Sequence, residues 1–252
     1  MPPSATPIRL ERVAKRYATG VLALEDASLS VAPGEFVSIL GPSGCGKSTI
    51  LRLLAGLDAA SSGSIQAPAL QAPGADTAFV FQEPTLMPWA SVYENVWLPL
   101  RLAGQSRSQA IPAIDAMLEH VGLAEFRDAY PAELSGGMKM RTSIARALVT
   151  RPRLLLMDEP FAALDEVTRT RLGTDLLRWW AEQQLSLVFV THSVFEAAYL
   201  SQRVLVMSPR PGRIVHELLV DEPAPRTAAF RLTPRYQELC RELSAALERQ
   251  PG

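Results

Sequence analysis

Apolar positions along this chain follow two rhythms. Four short runs are almost continuously apolar: Phe36-Val37-Ser38-Ile39-Leu40, Thr77-Ala78-Phe79-Val80-Phe81, Leu154-Leu155-Leu156-Met157-Asp158 and Leu187-Val188-Phe189-Val190. Runs of that length and character predict strands buried on both faces, as in a parallel sheet. Between them, apolar residues recur at three- and four-residue spacing, which predicts helices with one core face. One such set is Ile50, Leu51, Leu53 and Leu54; another is Ile111, Ile114, Met117, Leu118 and Val121. Further sets are Ile144, Ala145 and Leu148, then Val167, Leu172, Leu176 and Trp180, then Tyr236, Leu239, Leu243 and Leu247. Near the N-terminus the period is two: Ile8, Leu10, Val13, then Leu22, Leu24, Ala27, Leu29 and Val31. That alternation predicts half-buried antiparallel strands. Val204, Val206 and Met207, the Pro211-Gly212 turn and Ile214-Val215 predict a strand and its return. Residues 1–7 are expected to fray, 58–63 to form a loop and 221–227 to form a connector, while 64–76 carries only weak signals. The whole predicts an α/β fold.

Pro84 to Leu100 stands apart. It holds Leu86, Met87, Trp89, Tyr93, Trp97 and Leu98, with a helix predicted over Val92 to Leu102 and a possible kink at Pro99. Exposed, these side chains would form a docking patch; buried, they would be the core of a helical insert. Periodicity does not choose between the two.

The chemistry concentrates at Gly41-Pro42-Ser43-Gly44-Cys45-Gly46-Lys47-Ser48-Thr49, which fits the phosphate-loop pattern G-x-x-x-x-G-K-[ST]. A buried strand leads in and a helix leads out, as the mechanism requires. Glycines let backbone N–H groups converge on one anion, and the helix start adds its positive dipole. Lys47 would reach the β- and γ-phosphates, and Ser48 would ligate Mg²⁺. Cys45 is read as a small filler.

Other candidates lie where predicted strands end. Gln82 follows one, at the edge where open α/β sheets bind ligands. Asp158 and Glu159 end another; an acid there is the expected second contributor to a Mg²⁺ site, and its neighbour could polarise water. His192 follows a third and could donate to a phosphate. Tyr17 links the first two strands; it is an ordinary half-buried aromatic or a surface for stacking a base. Ser135 fits a helix cap, and Gly136 and Gly137 beside it expose N–H groups as a second possible anion site. Asp165 fits the cap of the helix after it.

Composition narrows the class. The 252 residues suffice for one large α/β domain or two small ones. Twenty-five basic residues balance twenty-six acidic ones, which gives no support for a general nucleic-acid binder. Two cysteines, Cys45 and Cys240, suggest no disulfide scaffold. A signal peptide and an apolar stretch long enough to span a membrane are not expected. The chain is therefore expected to be cytosolic and to meet a membrane through a partner.

Taken in order, the phosphate loop, Gln82, Leu134-Ser135-Gly136-Gly137, Leu154 to Pro160, Ala163-Leu164-Asp165 and His192 resemble the ATP-binding cassette (ABC) ATPase family over nearly the whole chain. The resemblance implies a P-loop NTPase core with an antiparallel β subdomain and a helical signature-motif subdomain. It divides one ABC domain into a core with β subdomain (1–83 and 151–220), a helical subdomain (84–150) and a C-terminal connector and helix (221–252). It implies that Tyr17 stacks on adenine and that Gly41 to Thr49 hold the phosphates. It makes Gln82 a Mg²⁺ and water contact, Asp158 the metal-supporting acid, Glu159 the general base and His192 a γ-phosphate contact. Ser135, Gly136 and Gly137 match the signature loop, and Asp165 an acid that positions the opposite subunit's site. The implied assembly is a head-to-tail dimer of two copies with ATP between them. It sits under two transmembrane permease subunits and is served indirectly by a solute-binding protein. The implied location is peripheral, on the cytoplasmic face of the inner membrane, with no nucleic-acid partner. Met138 and Phe81 to Trp89 resemble importer ATPases for nitrate, sulfonates and taurine; Met140 departs from the glutamine usual there. By the same resemblance, the β-rich regulatory domain of sugar-importer relatives is not expected. Trp89 and the helix after it would receive a permease helix. Two rivals are a soluble cassette ATPase that remodels protein or nucleic-acid complexes, and a small-molecule kinase. The kinase gives no reason for Ser135-Gly136-Gly137.

Overall fold

The structure, a computed structural model, describes residues 8–71, 76–224 and 226–249. The expectations for residues 1–7, for 72–75 of the weakly patterned stretch and for 225 of the connector lie outside them. In chain order the strands are β1 (Ile8–Arg16), β2 (Leu22–Val31), β3 (Phe36–Leu40), β4 (Ser62–Gln66), β5 (Thr77–Val80), β6 (Leu154–Asp158), β7 (Ser186–Thr191), β8 (Arg203–Met207) and β9 (Ile214–Leu219). The helices are α1 (Lys47–Leu54), α2 (Pro68–Gln71), α3 (Val92–Leu102), α4 (Arg107–His120), α5 (Gly136–Leu148), α6 (Glu166–Gln183), α7 (Val194–Leu200) and α8 (Pro234–Glu248).

Two sheets result. β2, β1 and β4 form an antiparallel sheet, and β5-β6-β7-β3-β8-β9 form a second sheet that is parallel except for β9. The period-two geometry of the buried strands feeds two cores. Val37, Ile39, Leu154, Leu156, Val188 and Val190 face a core shared with β1, β2 and α1. Phe36, Leu40, Leu155, Met157, Leu187 and Phe189 face a second core shared with α3 to α8. A fully buried Leu or Phe contributes about 1.5–3 kcal/mol over its exposed state, so both faces of this sheet are firmly held.

Several expectations change. The stretch 58–76 contains β4, paired to β1 through Leu10–Ile65, and the short α2. β4 exposes all but one partly buried residue, so it carries no hydrophobic rhythm. Ile111 and Val167 are exposed rather than core-facing, and α7 had no sequence signal strong enough to mark it. The apolar stretch after Pro84 divides residue by residue. Val92, Tyr93, Val96 and Leu100 are buried, while Trp89 is 76% exposed.

Helix starts also divide. Ser91, Ser106, Ser135, Asp165, Ser193 and Thr233 each cap α3 to α8 in turn by accepting a backbone N–H. α1 begins after Gly46 with no side-chain cap and no acid in its first turn.

Candidate nucleotide site

Parallel pairing brings four strand ends to one edge. Leu40 pairs with Thr191, Asp158 with Val190 and Val80 with Met157. The loop after β3, the Asp158-Glu159 pair, His192 and Gln82 therefore line the same edge of the sheet.

The loop itself is locked from below. Gly46 has φ +106°, and a Cβ there would stand 2.8 Å from Leu24 Cδ2 and 2.9 Å from the Ala23 carbonyl. Only glycine fits that conformation and that space. Cys45 is buried, and burial pushes its thiol up, which keeps it protonated and inert. The first N–H groups of α1 have no partner within the helix and no cap beside it. An anion is the partner such a helix start accepts.

Lys47 is only 4% exposed. Its ammonium donates to the carbonyls of Gly41 and Pro42 at 2.9 and 3.0 Å. It also lies 3.3 Å from Glu159 Oε1. The other Glu159 oxygen is 2.8 Å from His192 Nδ1. Glu159 thus stands between the loop lysine and the strand-end histidine. Its backbone is left-handed, with φ +45°, and its N–H donates to the Val190 carbonyl. Next to it, the Ser48 hydroxyl donates to Asp158 Oδ1 at 3.0 Å. Burial raises the Asp158 carboxyl above the usual carboxylate range, against the lowering effect of the Ser48 hydrogen bond. Two hard oxygens side by side are the donor type that Mg²⁺ takes.

Tyr17 is half-buried, with its hydroxyl 3.2 Å from Thr49 Oγ1 and Lys15 Nζ 5.0 Å from its ring centre. It therefore stands at the start of α1. Gln82 is exposed just past β5.

The remaining candidates sit elsewhere. Ser135 Oγ accepts from Met138 N at 3.3 Å and so caps α5. Gly136 and Gly137 open that helix against Leu164 and Thr168; a Cβ on Gly137 would reach 2.6 Å from Thr168 Cγ2. Asp165 caps α6 by accepting from Thr168 N at 2.9 Å, and this hydrogen bond lowers its carboxyl. Among the described residues, no hydrogen bond or ion pair joins Ser135, Gly136, Gly137 or Asp165 to the phosphate loop. No three metal-ligating side chains cluster among the described residues, so a cation here would lean on phosphate oxygens.

Three supports gave no sequence signal. Arg210 donates from Nε and Nη2 to the Gly44 carbonyl at 3.2 and 3.0 Å. Arg146 of α5 donates to the carbonyls of Pro84 and Thr85, both at 2.9 Å, just after Gln82. Glu196 accepts from Thr191 Oγ1 at 2.5 Å and lies 3.6 Å from Arg169, which also donates to the Leu164 carbonyl. Long sequence separation hides the first two, 166 and 62 residues apart: a lone arginine does not announce which carbonyl it reaches.

Comparison with known proteins gives the family. The family model described as ABC transporter matches residues 24–162. A protein of Brucella abortus named as an ATP-binding protein is 46% identical over 231 residues, 91% of this chain and 88% of its own. A nitrate import ATP-binding protein of Synechocystis is 43% identical over 94% of this chain and 92% of its own. A taurine import ATP-binding protein of Rhizobium johnstonii is 44% identical over 93% and 92%. A solved dimeric, post-hydrolysis ATP-binding cassette bound to ADP and Pi superposes with TM-score 0.75 at 31% identity, over 86% of this chain and all of that one. With the phosphate loop, the strand-end acids and the capped glycine pair all in place, the chain belongs to the ABC transporter family.

Proposed function

We propose that this chain is the ATP-hydrolysing subunit of an importer for a small solute of the nitrate, taurine or alkanesulfonate kind. The observation that carries the reading is Glu159, held between Lys47 and His192 beside the open start of α1. A triphosphate would lie there. The N–H groups of the loop from Gly41 to Thr49 would face its phosphates, Lys47 would turn from its own loop carbonyls to the β- and γ-oxygens, and Tyr17 would stack on the base. Ser48, Asp158 and Gln82 would hold Mg²⁺, which when bound neutralises phosphate charge. Water then attacks the γ-phosphorus. The new P–O bond forms as the bridging bond to the β-phosphate breaks, and the water proton passes to Glu159. His192 steadies the charge on the departing phosphoryl group.

The reading needs a second copy. Among the described residues, no hydrogen bond or ion pair ties Ser135, Gly136 or Gly137 to their own phosphate loop, and in the dimer they would close over the other subunit's ATP, with Asp165 beside them. Closure brings a helix start to an anion in a drying interface, where its partial charge counts most. Exposed Trp89 would take a helix of one of two permease subunits, so the chain would act peripherally at the cytoplasmic face of the inner membrane. No helix among the described residues is long and apolar enough to cross a membrane itself. A solute-binding protein would choose the solute, and no nucleic acid is involved. The division into a core (1–83, 151–220), a helical subdomain (84–150) and a C-terminal piece (221–252) belongs to the same proposal.

Glu159→Gln tests it. The variant is expected to bind ATP as tightly as the parent and to turn over about 10²–10⁴-fold more slowly. Parent-like turnover would remove Glu159 from the base role.

A further inference from the structure

We propose that the cleft between the 208–213 loop, β9 and α8 binds a small amphipathic organic anion and relays its presence to the phosphate loop. The cleft holds about 980 Å³, enough for a ligand of one or two rings. Its size has a sequence cause. One face of α8 packs into the core through Leu239 and Leu243, and the face toward the cleft carries the small side chains Ala245 and Ala246. Pro209, Pro211, Val215 and Leu218 complete an apolar lining.

Charge selects the ligand. Guanidiniums stand on both walls, Arg210 and Arg213 on the loop side, Arg241 and Arg249 on the helix. The two acids of the cleft, Glu238 and Glu242, lie 2.9 and 3.8 Å from Arg235, which they share with Asp221 at 2.8 Å. Arg213 is 2.6 Å from Glu25. Arg241 donates only within its helix, to the Gln237 carbonyl, and Arg249 has no ion partner among the described residues. Counted with these neighbours, five guanidiniums (Arg210, Arg213, Arg235, Arg241 and Arg249) face four carboxylates (Glu25, Asp221, Glu238 and Glu242), which leaves one positive charge in excess beside an apolar floor. A carboxylate or sulfonate attached to a hydrocarbon or ring satisfies both.

The relay is the loop wall. Arg210 holds the Gly44 carbonyl inside the phosphate loop. Two residues on, the Gly212 backbone lies so close to the Cys45 carbonyl that a Cβ on Gly212 would overlap it. Gly212 is also pinned to the Ala23 carbonyl, and its own carbonyl accepts from Glu25 N. An anion that draws Arg210 into the cleft must loosen its hold on Gly44. The ligand then changes nucleotide affinity through a coupling that acts in both directions.

The test uses the full chain with anilinonaphthalene sulfonate as probe, in excess ATP analogue to keep the nucleotide site filled. Saturable fluorescence is expected, and Arg241→Glu with Arg249→Glu should weaken it by about tenfold or more. Ala245→Phe, which fills the floor, should weaken it likewise. Unchanged affinity in both variants, or equal binding of neutral N-phenylnaphthylamine, overturns the site. The probe should also shift the affinity for a fluorescent ATP analogue in the parent but not in Arg210→Ala. Probe binding with no shift in the parent overturns the relay. A chain that binds no nucleotide at all would instead defeat the functional reading, while the probe arm still reports on the cleft.

Discussion

Two helix starts in this protein look alike in sequence and differ in build. α1 begins just after Gly46 and α5 at Gly136, and each was a candidate for holding phosphate. α1 starts uncapped, with Lys47, Glu159, Asp158 and Tyr17 gathered around it. α5 starts capped by its own Ser135 and leans on Leu164 and Thr168. One start is ringed by the chemistry of its own chain. The other is well supported but has none of that chemistry beside it. The difference teaches that glycine and a helix dipole make a phosphate site only in company. Under the proposed reading, the missing company for α5 comes from a second copy.

The sharpest break in this comparison is Lys47→Ala. Lys47 is the buried cation of the α1 site, and its loss should lower ATP turnover about 10²–10³-fold in a steady-state assay. Ser135→Arg, which crowds the α5 start, should silence turnover as well. Mixed together, the two inactive variants form dimers in which one intact α1 site meets one intact α5 start. The mixture should regain up to about a quarter of the parent rate, since about half the dimers are mixed and each has one sound site. No recovery would mean that the two helix starts never serve one nucleotide.

The α1 site was legible because its parts are local or lie at strand ends. A glycine-rich loop between a buried strand and a helix specifies its own backbone, and parallel strands must end on one edge. Asp158, Glu159 and His192 could therefore be read from the runs that precede them. The sheet was legible for the same reason: continuous apolar runs have few other uses. β4 was not, because an exposed strand such as Ser62–Gln66 is chosen by its partner β1 rather than by its own side chains. The fate of 84–102 was open because one stretch serves two purposes, with Tyr93 inside and Trp89 outside. Arg146 and Arg210 were invisible because they reach backbone carbonyls 62 and 166 residues away.

Arg146 is where α5 grips the segment after Gln82. Arg146→Ala leaves the carbonyls of Pro84 and Thr85 without their charged donor. The expected loss is about 2 kcal/mol, or about 4–8 °C in Tm. If α5 also relays to Gln82, turnover should fall further than stability does, and ATP binding should hold. Ser135→Ala removes only the cap and should cost about 1 kcal/mol, with a correspondingly smaller Tm shift.

The smallest expected effect has an unusual sign. Asp158 is the acid of the α1 site whose carboxyl burial pushes up. The folded chain therefore holds that proton at pH values where the unfolded chain has released it. Stability contributed at this position falls as pH rises from the ordinary carboxylate value to the raised one, and above both the fold bears the charge's full burial cost. Asp158→Asn keeps the shape and can still accept from Ser48, but it removes the charge. Without nucleotide, the variant should melt at a higher temperature than the parent at neutral pH. The gain should shrink as pH drops from the raised value to the ordinary carboxylate value, below which the parent is protonated in both its folded and unfolded states. Adding ATP analogue and Mg²⁺ should reverse the order, because ligand held by the folded parent stabilises it by mass action and, under the proposed reading, the variant lacks the carboxylate that supports Mg²⁺. A parent that melts higher than the variant at neutral pH without ligand would show that Ser48 and Lys47 compensate the burial of Asp158, and that the α1 site is balanced before nucleotide arrives.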